Sequence, residues 1–264
     1  MKSMNHIKSK ISNLKLIRAK LNKKKPSIGT FIQINSPEIA EIIASENFEW
    51  IAIDMEHGCI NLNDLNNIFR SIDMYNKLPI VRLPNNDIIL CRKVLDYGAY
   101  GIICPMVSNR SQAEKFVQAC MYPPKGYRSF GPTRGFMYGG NDYVDHANDE
   151  ILKIAMIETK EALNELDKIM KTPDLDGVYI GPSDLSLSIG EKAGFDKPEG
   201  HPTYEQALNI LTHAKKNNIV AGIHNATPDY AKKMINIGFQ LVSVGSDKIF
   251  MSDGAKSIVN KIKN

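Results

Sequence analysis

Residues 154–190 read IAMIETKEALNELDKIMKTPDLDGVYIGPSDLSLSIG. A short apolar run, Ile154 to Ile157, ends on Glu158. Leu163, Leu166, Ile169 and Met170 follow at helical spacing, and a second apolar run, Gly177 to Ile180, stops at Gly181-Pro182-Ser183-Asp184. Two short apolar runs joined by an amphipathic helix predict a βαβ unit with parallel strands. Glu158 and Asp184 then fall just past the carboxyl ends of neighbouring strands, the edge where α/β proteins bind ligands. Two converging carboxylates repel unless a cation lies between them. A hard divalent ion fits, because Mg²⁺ and Mn²⁺ take oxygen ligands and often few protein carboxylates. The competing reading is that both acids cap helices.

The same rhythm extends outward. Upstream, strands are expected at Ser27–Ile34, Trp50–Asp54, Pro79–Leu83 and Gly101–Val107, each followed by a helical stretch. Downstream, strands are expected at Ile219–His224 and Leu241–Val244, with a closing helix from Lys248. Eight strands alternating with helices in 264 residues point to a single (β/α)₈ barrel, residues 26–264. An open doubly wound sheet is the alternative, weakened because no G-x-G-x-x-G turn follows the first strand. Residues 1–25 form a separate element, a lysine-rich amphipathic helix expected to lie across the barrel.

Composition narrows the function. The chain is 43% hydrophobic and 23% charged with a net charge of +4, too mild a basicity to argue for nucleic acid. No apolar run reaches the ~18 residues of a membrane span. Four cysteines without C-x-x-C spacing suggest reduced thiols and a cytoplasmic location. Two segments break the rhythm, residues 123–150 and 189–202, and both are expected over the carboxyl face. Arg128 and Arg134 in the first are candidates to bind an acidic or hydroxylated substrate tail, or to pair across subunits.

Polar residues at strand ends make the stronger case. Asp54-Met55-Glu56-His57 ends the second strand, Arg82 the third, Glu158 the fifth, Asp184 the sixth, His224-Asn225 the seventh and Ser246-Asp247 the eighth. Such groups in buried strands cost desolvation unless paired, so their gathering on one face favours an active site. The parts suit carbon–carbon chemistry beside a 2-oxo acid. A metal on Glu158 and Asp184 would act as Lewis acid, and Arg82 would face the developing enolate oxygen. His57, steered by Asp54 or Glu56, would be the base. Backbone N–H groups near Ser183 and Asp184 would take the substrate carboxylate. No lysine sits at a strand's carboxyl end in an apolar run, which disfavours Schiff-base chemistry.

IDMEHG (53–58), VRLP (81–84), YGAYGIICPMV (97–107), MIET (156–159) and DGVYIGPSDLSLSIG (176–190) together resemble the HpcH/HpaI aldolase family, with citrate lyase β-like proteins as distant relatives. The resemblance runs from about Ile28 to Asp247. It implies a class II pyruvate aldolase that reversibly cleaves a 4-hydroxy-2-oxo acid to pyruvate and an aldehyde. It also implies a divalent metal (Mg²⁺ or Mn²⁺, with Co²⁺ as a further candidate) and no organic cofactor. By position it assigns the metal to Glu158 and Asp184, the catalytic dyad to His57 and Asp54, and enolate stabilisation to Arg82. A supporting acid is assigned to Asp96, and pyruvate carboxylate binding to Ser183 and Asp184. It implies a homo-oligomer, a hexamer or trimer of dimers, with the last helix on a neighbouring subunit. Met156 departs from the Gln that some relatives carry there. Two rival readings are a citrate-lyase-like acyl-CoA lyase or oxo-acid decarboxylase, and a barrel without catalysis.

Overall fold

The computed structural model describes residues 17–263, so the first sixteen residues of the expected N-terminal helix lie outside it. Eight parallel strands close into a barrel in chain order. They are β1 (Ser27–Ile32), β2 (Trp50–Asp54), β3 (Leu78–Arg82), β4 (Gly101–Cys104), β5 (Leu152–Ile157), β6 (Gly177–Ile180), β7 (Val220–Asn225) and β8 (Leu241–Ser246). The fold is the (β/α)₈ barrel. Strands buried on both faces must read as apolar runs, and β2 to β6 are buried throughout.

Aromatic rings fill the barrel interior. Phe31, Trp50 and Tyr179 meet with ring centroids 6.2–6.5 Å apart. Glycines at the register partners on neighbouring strands admit two of them. A Cβ on Gly29 would lie 2.1 Å from the Trp50 ring, and one on Gly222 would lie 2.5 Å from Tyr179. Buried side chains of this size must interlock because interiors are close-packed.

The amino-terminal end of the barrel is closed by the helical residues 17–22. Ile17 and Leu21 join the core, contributing about 1.5–3 kcal/mol each. Arg18 pairs with Asp176 at 2.6 Å, Lys20 pairs with Glu49, and Gln240 Nε2 donates to the Leu21 carbonyl at 2.8 Å. Among the described residues no helix is long and apolar enough to cross a membrane.

Contrary to the expectation from sequence, the segment 123–150 does not overhang the carboxyl face. It joins the helix Arg110–Cys120 to the start of β5, and in a parallel barrel every such connection lies at the amino-terminal end. It carries two short helices, Gly135–Gly139 and Tyr143–Glu150. Its arginines face inward. Arg128 lies 4.5 Å from the Tyr122 ring and bonds Asp96 Oδ1 at 2.9 Å and the Tyr143 hydroxyl at 3.2 Å. Arg134 stacks on Tyr138 at 4.8 Å and bonds Asp73 Oδ2 at 2.7 Å. Segment 189–202 does belong to the carboxyl end, since it follows the short helix Pro182–Ser188 that caps β6.

Candidate active site at the carboxyl end of the barrel

A cavity of about 350 Å³ opens at the carboxyl ends of the strands. His57, Arg82, Ser183 and Asp184 all line it, together with the aromatic residues Phe31 and Phe195. Register explains the first pairing in it. Asp54 and Arg82 are direct partners across β2 and β3. Arg82 donates Nε to Asp54 Oδ1 at 2.9 Å and Nη2 to Oδ2 at 2.6 Å, a bidentate bond. Gln33 Nε2 adds a third bond at 2.7 Å, and the backbone N–H groups of Glu56 and His57 reach Oδ1 at 3.1 Å. Burial pushes the Asp54 carboxyl upward, but the Arg82 bonds and charge outweigh it and hold the group below its ordinary value.

Asp54 therefore anchors Arg82 and the turn that carries His57, and it makes no bond to the imidazole. The carboxylate beside the ring is Glu56, with Oε2 3.8 Å from His57 Nε2 and 3.3 Å from Arg82 Nη1. Burial raises the Glu56 carboxyl, against the pull of Arg82 and His57. The His57 side chain is 58% exposed, so it is free to meet a substrate at the cavity mouth.

Glu158 is 2% exposed, immediately past β5. Its Oε1 accepts the Met106 backbone N–H at 2.7 Å. Met106 has φ 56°, a left-handed conformation that costs a non-glycine residue on the order of 1 kcal/mol. Burial raises the Glu158 carboxyl to about 7; Met106 and Arg82 oppose the rise, and the charges of Glu56 and Asp184 add to it. A Cβ on Gly181 would lie 2.5 Å from Glu158 Oε2, so the glycine leaves the carboxylate its space.

Asp184 sits in the first turn of Pro182–Ser188. Leu185 N to Gly181 O, at 3.0 Å, is the first rung of that helix. The N–H groups of Ser183 and Asp184 precede the ladder and have no intrahelical acceptor, which suits them to an anion. Two features fit a divalent cation here. The donors are oxygens only, and the clustered carboxylates Glu56, Glu158 and Asp184 act on one another with Arg82 as the cation among them. No group of three His, Cys, Asp or Glu side chains closes into a full cage among the described residues. A pair of carboxylates with open positions is the arrangement Mg²⁺ commonly accepts.

Asp96 is not part of this cavity. It ends the helix Ile88–Asp96 at the opposite end of the barrel and holds Arg128. Of the two carboxylates expected to steer His57, Asp54 and Glu56, it is Glu56 whose side chain lies beside the imidazole. Gln33 was missed; Asp247, expected at the end of the eighth strand but given no role, accepts the Gln33 and Ile34 N–H groups at 2.9–3.1 Å and fixes the end of β1. A lone Gln one residue from a strand's predicted end carries no sequence signal.

Comparison with known proteins adds independent information. A model of the HpcH/HpaI aldolase/citrate lyase family matches residues 27–253. The chain is 32% identical over 247 residues to a hydroxypyruvate/pyruvate aldolase of Rhizorhabdus wittichii, covering 92% of this chain and 96% of that one. It is 33% identical over 250 residues to a 4-hydroxy-2-oxo-heptane-1,7-dioate aldolase of Shigella flexneri, covering 94% and 92%. The crystal structure of an HpcH/HpaI aldolase from Desulfitobacterium hafniense superposes with a TM-score of 0.84 at 25% identity, covering 94% and 96%. A chain with this barrel, matched along most of its length, belongs to the HpcH/HpaI aldolase/citrate lyase family.

Proposed function

We propose that the protein is a divalent-metal-dependent aldolase, a carbon–carbon lyase that reversibly cleaves a 4-hydroxy-2-oxo acid to pyruvate and an aldehyde. The observation that carries this reading is the buried Glu158, raised to about 7 by burial and by the charges of Glu56 and Asp184, one strand end away from Asp184, which lines the cavity together with Arg82. Glu158 and Asp184 would hold the metal, Mg²⁺ or Mn²⁺ first and Co²⁺ as a further candidate. When bound, a divalent cation supplies Lewis-acid polarisation of the 2-oxo group.

The chain's own residues then divide the work. The Ser183 and Asp184 N–H groups receive the substrate carboxylate. His57, with Glu56 beside it to stabilise the imidazolium, accepts the proton of the 4-hydroxyl group. The C3–C4 bond breaks, its electron pair passes to the C2–C3 unit as an enolate, and the aldehyde leaves. Arg82 faces the enolate oxygen, and its bidentate hold on Asp54 keeps it fixed, so little reorganisation is needed as charge develops. A proton returned to C3 yields pyruvate.

The acyl-CoA alternative needs a basic groove. Arg128 and Arg134, its candidates, are buried at the far end of the barrel on carboxylates and tyrosines. They are equally out of reach as clamps for a substrate tail. A role for Asp96 in catalysis requires a second copy of the chain. The terminal helix Asp247–Lys263 supports such an assembly, because Met251, Ile258 and Ile262 are 56–79% exposed along it. A hexamer or trimer of dimers is our reading of that assembly, and sedimentation velocity tests it.

Exchange of the pyruvate C3 protons in D₂O, followed by NMR, tests the enolate chemistry without knowing the aldehyde. Exchange that needs a divalent cation and is lost in Glu158→Gln is expected. Exchange that survives both chelation and the substitution would overturn the proposal.

A further inference from the structure

His224 lines the same cavity from β7, the strand next to β6, and has no part in the scheme above. Register makes it the partner of Ser243 across β7 and β8. Its Nδ1 is 2.7 Å from Ser243 Oγ, and the Tyr179 hydroxyl is 2.5 Å from the same Oγ. Tyr179 and Ser243 are fully buried, so the direction of this chain is set internally. A phenol donates better than it accepts, and burial keeps the Tyr179 proton on. Tyr179 therefore donates to Ser243, and the Ser243 hydroxyl in turn donates a hydrogen bond to Nδ1. Burial, then the charge of Arg82, lowers His224 to about 4, so the imidazole is neutral. Its ring proton is on Nε2, which has no hydrogen-bond partner among the described residues.

The surroundings narrow what that N–H meets. Phe31 and Phe195 stand edge-on to the imidazole with centroids 5.2 and 4.8 Å away. Phe195 is held there because the Asp196 carboxylate accepts from Ala226 N, Thr227 N and Thr227 Oγ1 at 2.6–2.9 Å. Among the described residues no lysine, and no arginine other than Arg82, lines the cavity, and Arg82 is committed to Asp54 and Glu56. One oriented neutral donor in an aromatic wall suits an uncharged oxygen and gives a carboxylate no counter-ion.

We infer that His224 is a substrate-binding residue that donates Nε2–H to an uncharged oxygen on the aldehyde half, selecting a short 2-hydroxyaldehyde over an alkyl or carboxylate-tailed one. The inference rests on the aldolase reading. In the synthetic direction C3 of pyruvate gives up a proton, bonds to the aldehyde carbon, and the aldehyde oxygen takes a proton; His224 moves none of them.

The test is addition of pyruvate to glycolaldehyde, propanal and succinic semialdehyde, using the full chain with Mg²⁺ or Mn²⁺. Glycolaldehyde and propanal differ by a hydroxyl against a methyl group. The wild type is expected to favour glycolaldehyde over propanal in kcat/KM by about tenfold or more, the scale of one oriented hydrogen bond. His224→Leu should bring the ratio close to one, and His224→Gln, which keeps an N–H donor, should restore part of it. Ser243→Ala, which frees the tautomer, should lower the ratio while leaving His224 in place. If His224→Leu does not fold, the Gln and Ser243 variants decide. A flat wild-type ratio, a ratio insensitive to these variants, or a preference for succinic semialdehyde overturns the assignment. Pyruvate C3 exchange with a flat ratio removes only the His224 assignment; absence of both exchange and addition removes the aldolase reading as well.

Discussion

The two ends of the barrel use the same residue types to opposite effect. At the amino-terminal end Arg128 has Asp96 and Arg134 has Asp73, each guanidinium stacked on tyrosine. At the carboxyl end Arg82 stands among Asp54, Glu56, Glu158 and Asp184. The first region balances its charge pair by pair and becomes a set of struts. The second leaves an excess of carboxylate beside a cavity, and that imbalance marks it as the place for a cation and an anionic substrate. Burial of arginine alone does not separate the two; the count of opposing charges does.

Arg82→Ala breaks the carboxyl end most severely. It removes the group facing the enolate oxygen, so kcat/KM should fall by about a thousandfold or more, with kcat bearing most of the loss. It also leaves Asp54 buried without its cation, a destabilisation of about 3–5 kcal/mol visible in urea unfolding. Arg134→Met at the other end should cost stability on a similar scale, about 3 kcal/mol, because Asp73 loses a partner. Its kcat/KM per folded molecule should change little. A large activity loss there would erase the contrast between struts and site.

Glu158 sharpens the contrast through pH. Its folded pKa of about 7 lies above the ordinary 4.5, so between those values the folded chain holds a proton the unfolded chain has released. Stability of chelated protein should fall as pH rises through that window, by on the order of 3 kcal/mol in all. Glu158→Gln should show no such slope, and saturating divalent cation should offset the fall. Thermal unfolding from pH 4 to 8, with and without chelator, measures this. The smallest effect is expected from Gly181→Ala. Its Cβ would press on Glu158 Oε2 and Met156, weakening divalent-cation binding by about tenfold in a calorimetric titration.

Much of this was legible in the chain. Apolar runs bounded by turn residues located every strand; β6 was read to the residue as Gly177–Ile180, and β4 ended three residues earlier than expected, at Cys104 before Pro105. One expected helix proved to be two, Lys160–Asn164 and Leu166–Met170. The convergence of His57, Arg82, Ser183 and Asp184 on one cavity follows from their positions at strand ends, because a closed parallel barrel gathers all such ends on one rim. What failed was the reading of residues 123–150. The segment's length suggested a functional loop over the carboxyl face, whereas its place after a helix and before a strand puts it at the other rim. The Asp54 to His57 pairing also failed as a side-chain contact. Adjacent register gave Asp54 to Arg82, and sequence proximity gave His57 only a backbone bond to it. The tie between His224, Ser243 and Tyr179 joins three strands and leaves no local pattern.

The most direct test of the account is pyruvate release from oxaloacetate and a panel of 4-hydroxy-2-oxo acids. The assay is run with EDTA, then with Mg²⁺, Mn²⁺ or Co²⁺ restored, beside Glu158→Gln. Release from the 4-hydroxy-2-oxo acids that chelation abolishes, a divalent cation restores and the variant lacks is the predicted result. Folded protein that releases no pyruvate with any of these ions, or a Glu158→Gln variant as active as wild type, would contradict it.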